Sequence, residues 1–247
     1  MSKTISIHSY RGGTGKSNIS ANLSYALAEA GKKVCVIDTD IQSPGIHVLF
    51  GLKDVKTNTL NDFLWGKATI DKVALDVSEN VGLPKGRLFL LPCSMNMGDI
   101  TRILKEGYDV KLLNQGFREI KEKLGLDYLI IDTHPGLNEE TLLSIAISDV
   151  LFIILRPDQQ DFQGTSVTVE VARRLKVKNL FILVNKALSR YDPDQMKKKV
   201  EDIYGCPVAA VLPLNEKLIE LGSGGLFLKE QPEERWSKLI REVASRL

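Results

Sequence analysis

The stretch TISIHSYRGGTGKSN, residues 4–18, runs from an apolar, β-rich segment straight into glycines, a lysine and a serine. A strand that breaks into glycines and resumes as a helix puts a backbone turn at the C-terminal edge of a sheet, where open α/β folds take their ligands. Gly12, Gly13 and Gly15 let the chain curl so that consecutive amides face an anion. The helix starting near Lys16 adds its positive dipole end. Lys16 can reach the β- and γ-phosphates of a nucleotide, and Ser17 offers a hydroxyl to Mg²⁺, a hard cation that prefers oxygen. In the common phosphate-loop spacing G-x-x-x-x-G-K-[ST], the first glycine would fall on Tyr10. The loop instead fits the variant xKGGxGK[ST], with Arg11 in place of the lysine.

Further apolar runs follow at 33–40, 87–93, 127–134, 149–156, 179–185 and 207–213, nearly continuous and rich in Val, Ile and Leu. Such strands are buried on both faces, as in a parallel sheet. Helical segments alternate with them: 17–31, two within 98–125, then 138–147, 162–175, 193–205 and 232–247. This alternation predicts right-handed βαβ units and an α/β, doubly wound, mostly parallel sheet of seven or eight strands flanked by helices. The second strand is expected beside the first. Region 51–86 is the least regular, with a short helix expected at Thr59–Trp65. No repeat, low-complexity tract or linker interrupts the 247 residues, so one domain is expected over 1–247.

The net charge of +2 gives no bulk preference for nucleic acid, so any basic surface must be local. Cys35, Cys93 and Cys206 are odd in number and widely spaced, which argues against a disulfide framework or a zinc site. The chain opens on a strand rather than a signal peptide, and no apolar stretch approaches the ~18 residues of a membrane span. A cytoplasmic protein is expected.

Beyond the glycine loop, VIDTD (36–40), DTHPG (132–136), LVNK (183–186) and VLPLNEKL (211–218) follow in a fixed order. With RGGTGKS they make the chain resemble the MinD/ParA family of deviant Walker A ATPases over nearly its whole length. The resemblance implies a slow Mg-ATP-dependent switch ATPase of positioning, partitioning or regulation, with ATP and Mg²⁺ as cofactors and a homodimer forming on ATP binding. It implies that Gly12, Gly13, Thr14, Gly15, Lys16, Ser17 and Asn18 hold the phosphates, with Asn18 standing where threonine is usual. Asp132, ending an apolar strand, would hold Mg²⁺ through water beside Ser17. Asp38 would orient the attacking water and Asp40 support it, while Lys16 and Arg11 neutralise charge. The Gly136 amide would sense the terminal phosphate, and His134, in place of the usual proline, is either proton-sensitive or a plain loop residue. Asn185 at a strand end, with Pro213 and Asn215, would frame adenine.

Arg11 leaves two alternatives open. Its guanidinium either reaches the partner subunit's nucleotide, as the family's lysine does, or pairs locally and leaves a non-hydrolysing ATP-binding regulatory protein. A carboxylate-activating ligase of the same fold is a further alternative. A protein activator or cargo is expected. DNA contact is possible through Arg173, Arg174, Lys176 and Lys178, or through Lys197, Lys198 and Lys199, although a solvated helix face is the commoner meaning of such runs. The final stripe of Trp236, Leu239, Ile240, Val243 and Leu247 is expected to pack on the core rather than lie on a membrane. A bridged iron–sulfur cluster is disfavoured because no cysteine follows DTHPG.

Overall fold

The computed structural model describes residues 2–41 and 43–247. The strand at its centre, β1 (Lys3–His8), is followed by the glycine loop and helix α1 (Lys16–Glu29). Next come β2 (Lys33–Asp38), a 3₁₀ turn at Ile46–Phe50, α2 (Leu60–Leu64), α3 (Ile70–Val73), β3 (Leu75–Asp76) and β4 (Arg87–Leu91). Two helices, α4 (Met97–Glu106) and α5 (Val110–Leu124), lead to β5 (Tyr128–Asp132) and α6 (Glu139–Ala146). The chain continues through β6 (Val150–Leu155), α7 (Gln159–Arg174), β7 (Asn179–Ala187), α8 (Pro193–Tyr204) and β8 (Val208–Pro213). It closes with α9 (Glu216–Leu221), α10 (Phe227–Glu230) and α11 (Arg235–Ser245).

The strands form one sheet in the order β3-β4-β2-β5-β1-β6-β7-β8. All neighbours pair in parallel except β3, a two-residue strand antiparallel to β4 at the edge. The expected placement of the second strand beside the first is corrected here: β5 lies between them and pairs with both. Successive residues of β2 feed opposite faces, Val34 and Val36 on one and Cys35 and Ile37 on the other, and all four are fully buried. The near-continuous apolar strands are therefore explained by helices on both sides.

One face carries α1 and α11. Helix α1 has only a weak apolar stripe because it is sandwiched, with residues 19–28 buried all round between the sheet and the C-terminal helices. The C-terminal stripe is core, as expected: Trp236 and Ile240 are fully buried, and Trp236 meets Phe227 edge-on at 5.6 Å. The opposite face carries α5, packed through Leu113, Phe117 and Ile120, and α7 and α8, packed through Val169, Ala172, Met196 and Val200. In region 51–86, Thr59 caps α2 in a reciprocal box with Asp62. All three cysteines are free and buried. No helix among the described residues is long and apolar enough to cross a membrane.

Candidate functional site

The parallel order brings the C-terminal ends of β2, β5, β1, β6, β7 and β8 into one row, and the residues expected to hold the nucleotide and metal lie along it. Asp38 and Asp132 are register partners across β2 and β5, and Asp132 is also the partner of Ile7 on β1. The insertion of β5 thus puts the Asp132 carboxylate directly beside the glycine loop, with Asp38 one strand further out.

Gly13 and Gly15 have φ of 74° and 95°. At Gly15 a side chain is doubly excluded, since a Cβ there would also lie 2.6 Å from Asn185 Nδ2. Gly12 lies against Pro135 of the loop after β5. Thr14 is buried, and its Oγ1 has no partner; the same holds for Asn18 Oδ1. Two buried polar atoms in and just after the loop, without partners among the described residues, fit a site built for a polar ligand. Lys16 starts α1 and is buried to 8% exposure. Burial pulls its pKa down, while Asp132, Asp40 and Asp38 pull it back up.

The Asp132 carboxyl is pushed up by burial, against the opposing pull of Lys16 and the hydroxyls of Ser17 and Ser20. Ser20, which the sequence reading missed, donates to Asp132 Oδ1 at 2.7 Å from one turn along α1; its i+3 spacing from Ser17 was the available signal. Asp38 is buried and held up at about 8, chiefly by desolvation and then by Asp132, although the Gly45 and Asp40 amides oppose the shift. Its Oδ1 accepts from Asp40 N at 3.1 Å, and its Oδ2 accepts from Gly45 N at 3.1 Å and Ile46 N at 3.4 Å. Asp40 is partly exposed, its carboxyl raised by burial, with His134 Nε2 3.7 Å from its Oδ1. Gly136, at φ 84°, donates its amide to Ser9 O at 3.2 Å, tying the loop after β5 to the root of the glycine loop.

A second subsite opens on the other side of Gly15. A cavity of about 290 Å³ is lined by Gly15, Asn18, Asn185, Lys186, Pro213 and Asn215, among others. All the residues expected to frame a base therefore meet in one cleft that shares Gly15 and Asn18 with the loop. Asn185 does not end its strand as expected. A register irregularity between Val184 and Ala187 carries β7 past it, with Lys186 at φ 58°. Asn185 Nδ2 donates to Thr14 O at 2.8 Å, and Lys186 Nζ donates to Gly13 O at 2.8 Å, so both hold the glycine loop. Asn215 caps α9 through Leu218 N and donates to Glu234.

Arg11 pairs within its own chain, with Nη1 3.5 Å from Asp161 Oδ1 and 3.7 Å from Asp158 Oδ1. Arg156 shares both carboxylates, its Nε donating to Asp161 Oδ2 at 2.8 Å. These two partners of Arg11, and the Arg156 that shares them, were missed; the charged run RPDQQD (156–161) was their only trace. Two of the basic residues named as DNA candidates are otherwise engaged. Arg173 donates to the Tyr204 and Gly205 carbonyls at the end of α8, and Arg174 pairs with Glu170 at 3.0 Å. Among the described residues there is no cluster of three or more His, Cys, Asp or Glu able to hold a metal ion alone.

A strand–glycine loop–helix unit at the centre of such a sheet, with carboxylates ending the neighbouring strands, defines the P-loop nucleoside-triphosphatase fold. The family described as AAA domain matches residues 2–188. An uncharacterized ATP-binding protein of Methanocaldococcus jannaschii is 30% identical over 248 residues, covering 100% of this chain and 88% of that protein. The chromosome-partitioning ATPase Soj of Treponema pallidum is 28% identical over 264 residues, covering 100% and 98%. The structure of the septum site-determining protein MinD from Pyrococcus horikoshii, complexed with Mg-ADP, superposes with a TM-score of 0.83 at 24% identity, covering 100% and 96%. The chain belongs to this AAA-domain family of P-loop ATPases, which includes the MinD and ParA proteins of positioning and partitioning.

Proposed function

We propose that the chain binds Mg-ATP, hydrolyses it slowly, and uses the nucleotide to control pairing with a second copy of itself, residues 1–247 acting as one unit. The observation that carries this reading is the continuity of the two subsites. The base cleft of Asn185, Pro213 and Asn215 shares Gly15 and Asn18 with the loop that ends at Lys16 and Ser17. Gly12 to Gly15 would cradle the phosphates with backbone amides, and the Lys16 ammonium would neutralise them. Ser17 and Asp132, the latter through water, would hold Mg²⁺, which when bound supplies charge neutralisation at the phosphates. Asp38, buried and protonatable near neutrality, would position water, with Asp40 and His134 fixing the loop behind it. Gly136, whose amide is bonded to Ser9 O, would turn that amide to the terminal phosphate.

In the family resemblance the residue at Arg11 crosses to the partner's nucleotide. To do so here it must leave Asp158 and Asp161. The relatives are named for partitioning and septum placement, so the ligase alternative is not retained. Analytical ultracentrifugation with Mg-ATP and with Mg-ADP tests the reading. The wild-type chain should pair with ATP and not with ADP, and Arg11→Ala should bind ATP yet stay single. An ATP-induced pair undiminished by Arg11→Ala would remove the trans role. Absence of calorimetric binding of Mg-ATP would remove the whole reading.

A further inference from the structure

A second cavity, about 230 Å³, opens between the segments that follow β2 and β5. Its walls are Thr39 after β2, Tyr108 between α4 and α5, and His134, Asn138, Glu139 and Glu140 in the loop after β5 and the start of α6. Ile41 and Ile103 provide an apolar floor. Among the described residues no lysine or arginine lines it.

Glu140 is the anomaly in this wall. The positive end of a helix explains a carboxylate in the first turn, but not one buried to 5% exposure with an oxygen left over. Oε2 accepts the Tyr108 hydroxyl at 3.3 Å, whereas Oε1 makes no hydrogen bond among the described residues, although the Thr39 hydroxyl lies close enough to steady the carboxylate. The nearby Thr39 hydroxyl donates to the Asp132 carbonyl at 3.0 Å. An unpaired buried carboxylate oxygen is costly and calls for an explanation, and a ligand that completes it is one.

We propose that this cavity is a binding site for an organic cation, an alkyl ammonium or guanidinium group, with Glu140 Oε1 as its principal acceptor. Its chemistry selects that class: a buried carboxylate, a second carboxylate at the rim in Glu139, and apolar walls against which the methylene stem of such a group can lie. The volume admits one such side chain. A bare metal ion is poorly served, since no cluster of three or more acidic, His or Cys ligands exists among the described residues. Burial raises the Glu140 carboxyl to about 7, with Asp40 and Asp132 adding to the rise and Thr39 and Tyr108 opposing it, so an arriving cation meets a group it can hold ionised. The walls belong to the loops that carry Asp40 and Gly136, so an occupant braces both. The inference rests on the cavity alone and not on nucleotide binding.

Agmatine and butylamine, titrated into the nucleotide-free chain by calorimetry and by NMR, test it. Saturable binding of either is the expected result, weakened about tenfold or more by Glu140→Gln and less by Tyr108→Phe, with the thermal melting of each variant checked for folding. A short neutral-backbone peptide carrying one arginine distinguishes the source: tighter binding than agmatine identifies a side chain of another protein, and weaker binding identifies a free amine. No saturation by amine or peptide, or equal binding to Glu140→Gln, overturns the proposal. Mg-ATP affinity, measured on the same samples, reports separately on the nucleotide site.

Discussion

Replacing Asp38 by asparagine should leave the nucleotide-free, metal-free protein near wild-type stability at pH 5 and make it increasingly the more stable of the two as the pH rises. The carboxyl is buried, which raises its folded pKa from the ordinary 3.8 to about 8. A group whose folded pKa is raised keeps its full contribution below the unfolded pKa and loses it as pH climbs toward the folded one. Between pH 5 and pH 8 the unfolded carboxyl is ionised and the folded one is largely not, so each pH unit removes about 1.4 kcal/mol. Over three units the loss is about 4 kcal/mol. Asparagine cannot ionise and escapes this loss, but it gives up one acceptor. Of the contacts to Asp40 N, Gly45 N and Ile46 N, those of one oxygen are forfeited, at about 1–3 kcal/mol independent of pH. The variant should therefore lie close to wild type at pH 5 and be more stable by a few kcal/mol at pH 8, while losing ATP turnover. Urea unfolding of both proteins at the two pH values measures this. A stability difference that does not change with pH would refute the reasoning, because it would mean that Asp38 is already ionised in the folded chain at pH 5.

Lys16→Ala should weaken Mg-ATP binding about a hundredfold in calorimetry, the worth of a lost charge-assisted contact, while the fold persists; unchanged affinity would displace Lys16 from the phosphate site. Gly164→Ala should destabilise the protein by about 1–3 kcal/mol in thermal unfolding, because its Cβ would meet the Tyr10 ring at 2.2 Å. Tyr10→Ala in the same chain should restore part of that loss, because it removes the ring atoms but keeps a Cβ at 2.8 Å.

What the sequence made legible was local. The glycine loop, the caps and the apolar runs are contiguous signals, and the helices and strands follow them to within a few residues. The base cleft was also legible, because Asn185, Pro213 and Asn215 sit at or near strand ends in a sheet whose ends converge. What stayed hidden depended on the order of strands and on burial. Nothing in the run DYLIIDTH says that it slips between the first two strands, yet that insertion alone sets Asp132 beside the loop. Glu140 reads as an ordinary first-turn acid until α4, α5 and the loop after β2 close over it.

The partners of Arg11, 147 and 150 residues further along, were equally invisible, and their geometry bears on whether that residue can act elsewhere. Asp161 is buried to 3% exposure and is already held by Arg156 through Nε at 2.8 Å, Nη2 at 3.1 Å and the backbone amide at 3.1 Å. Arg11 is the outer and longer contact, with its side chain 40% exposed. Removing Arg156 strips a buried carboxylate of its counter-charge, which costs about 3 kcal/mol or more. Removing Arg11 breaks only a long, half-exposed pair, worth about 1 kcal/mol or less. Arg156→Ala should thus lower the unfolding midpoint clearly and Arg11→Ala hardly at all. In that case Arg11 can leave its local partners at little expense and be free to meet a phosphate across an interface. Equal destabilisation by the two variants would make Arg11 part of the fixed scaffold, and its reach into a second subunit would then carry a cost the nucleotide must overcome.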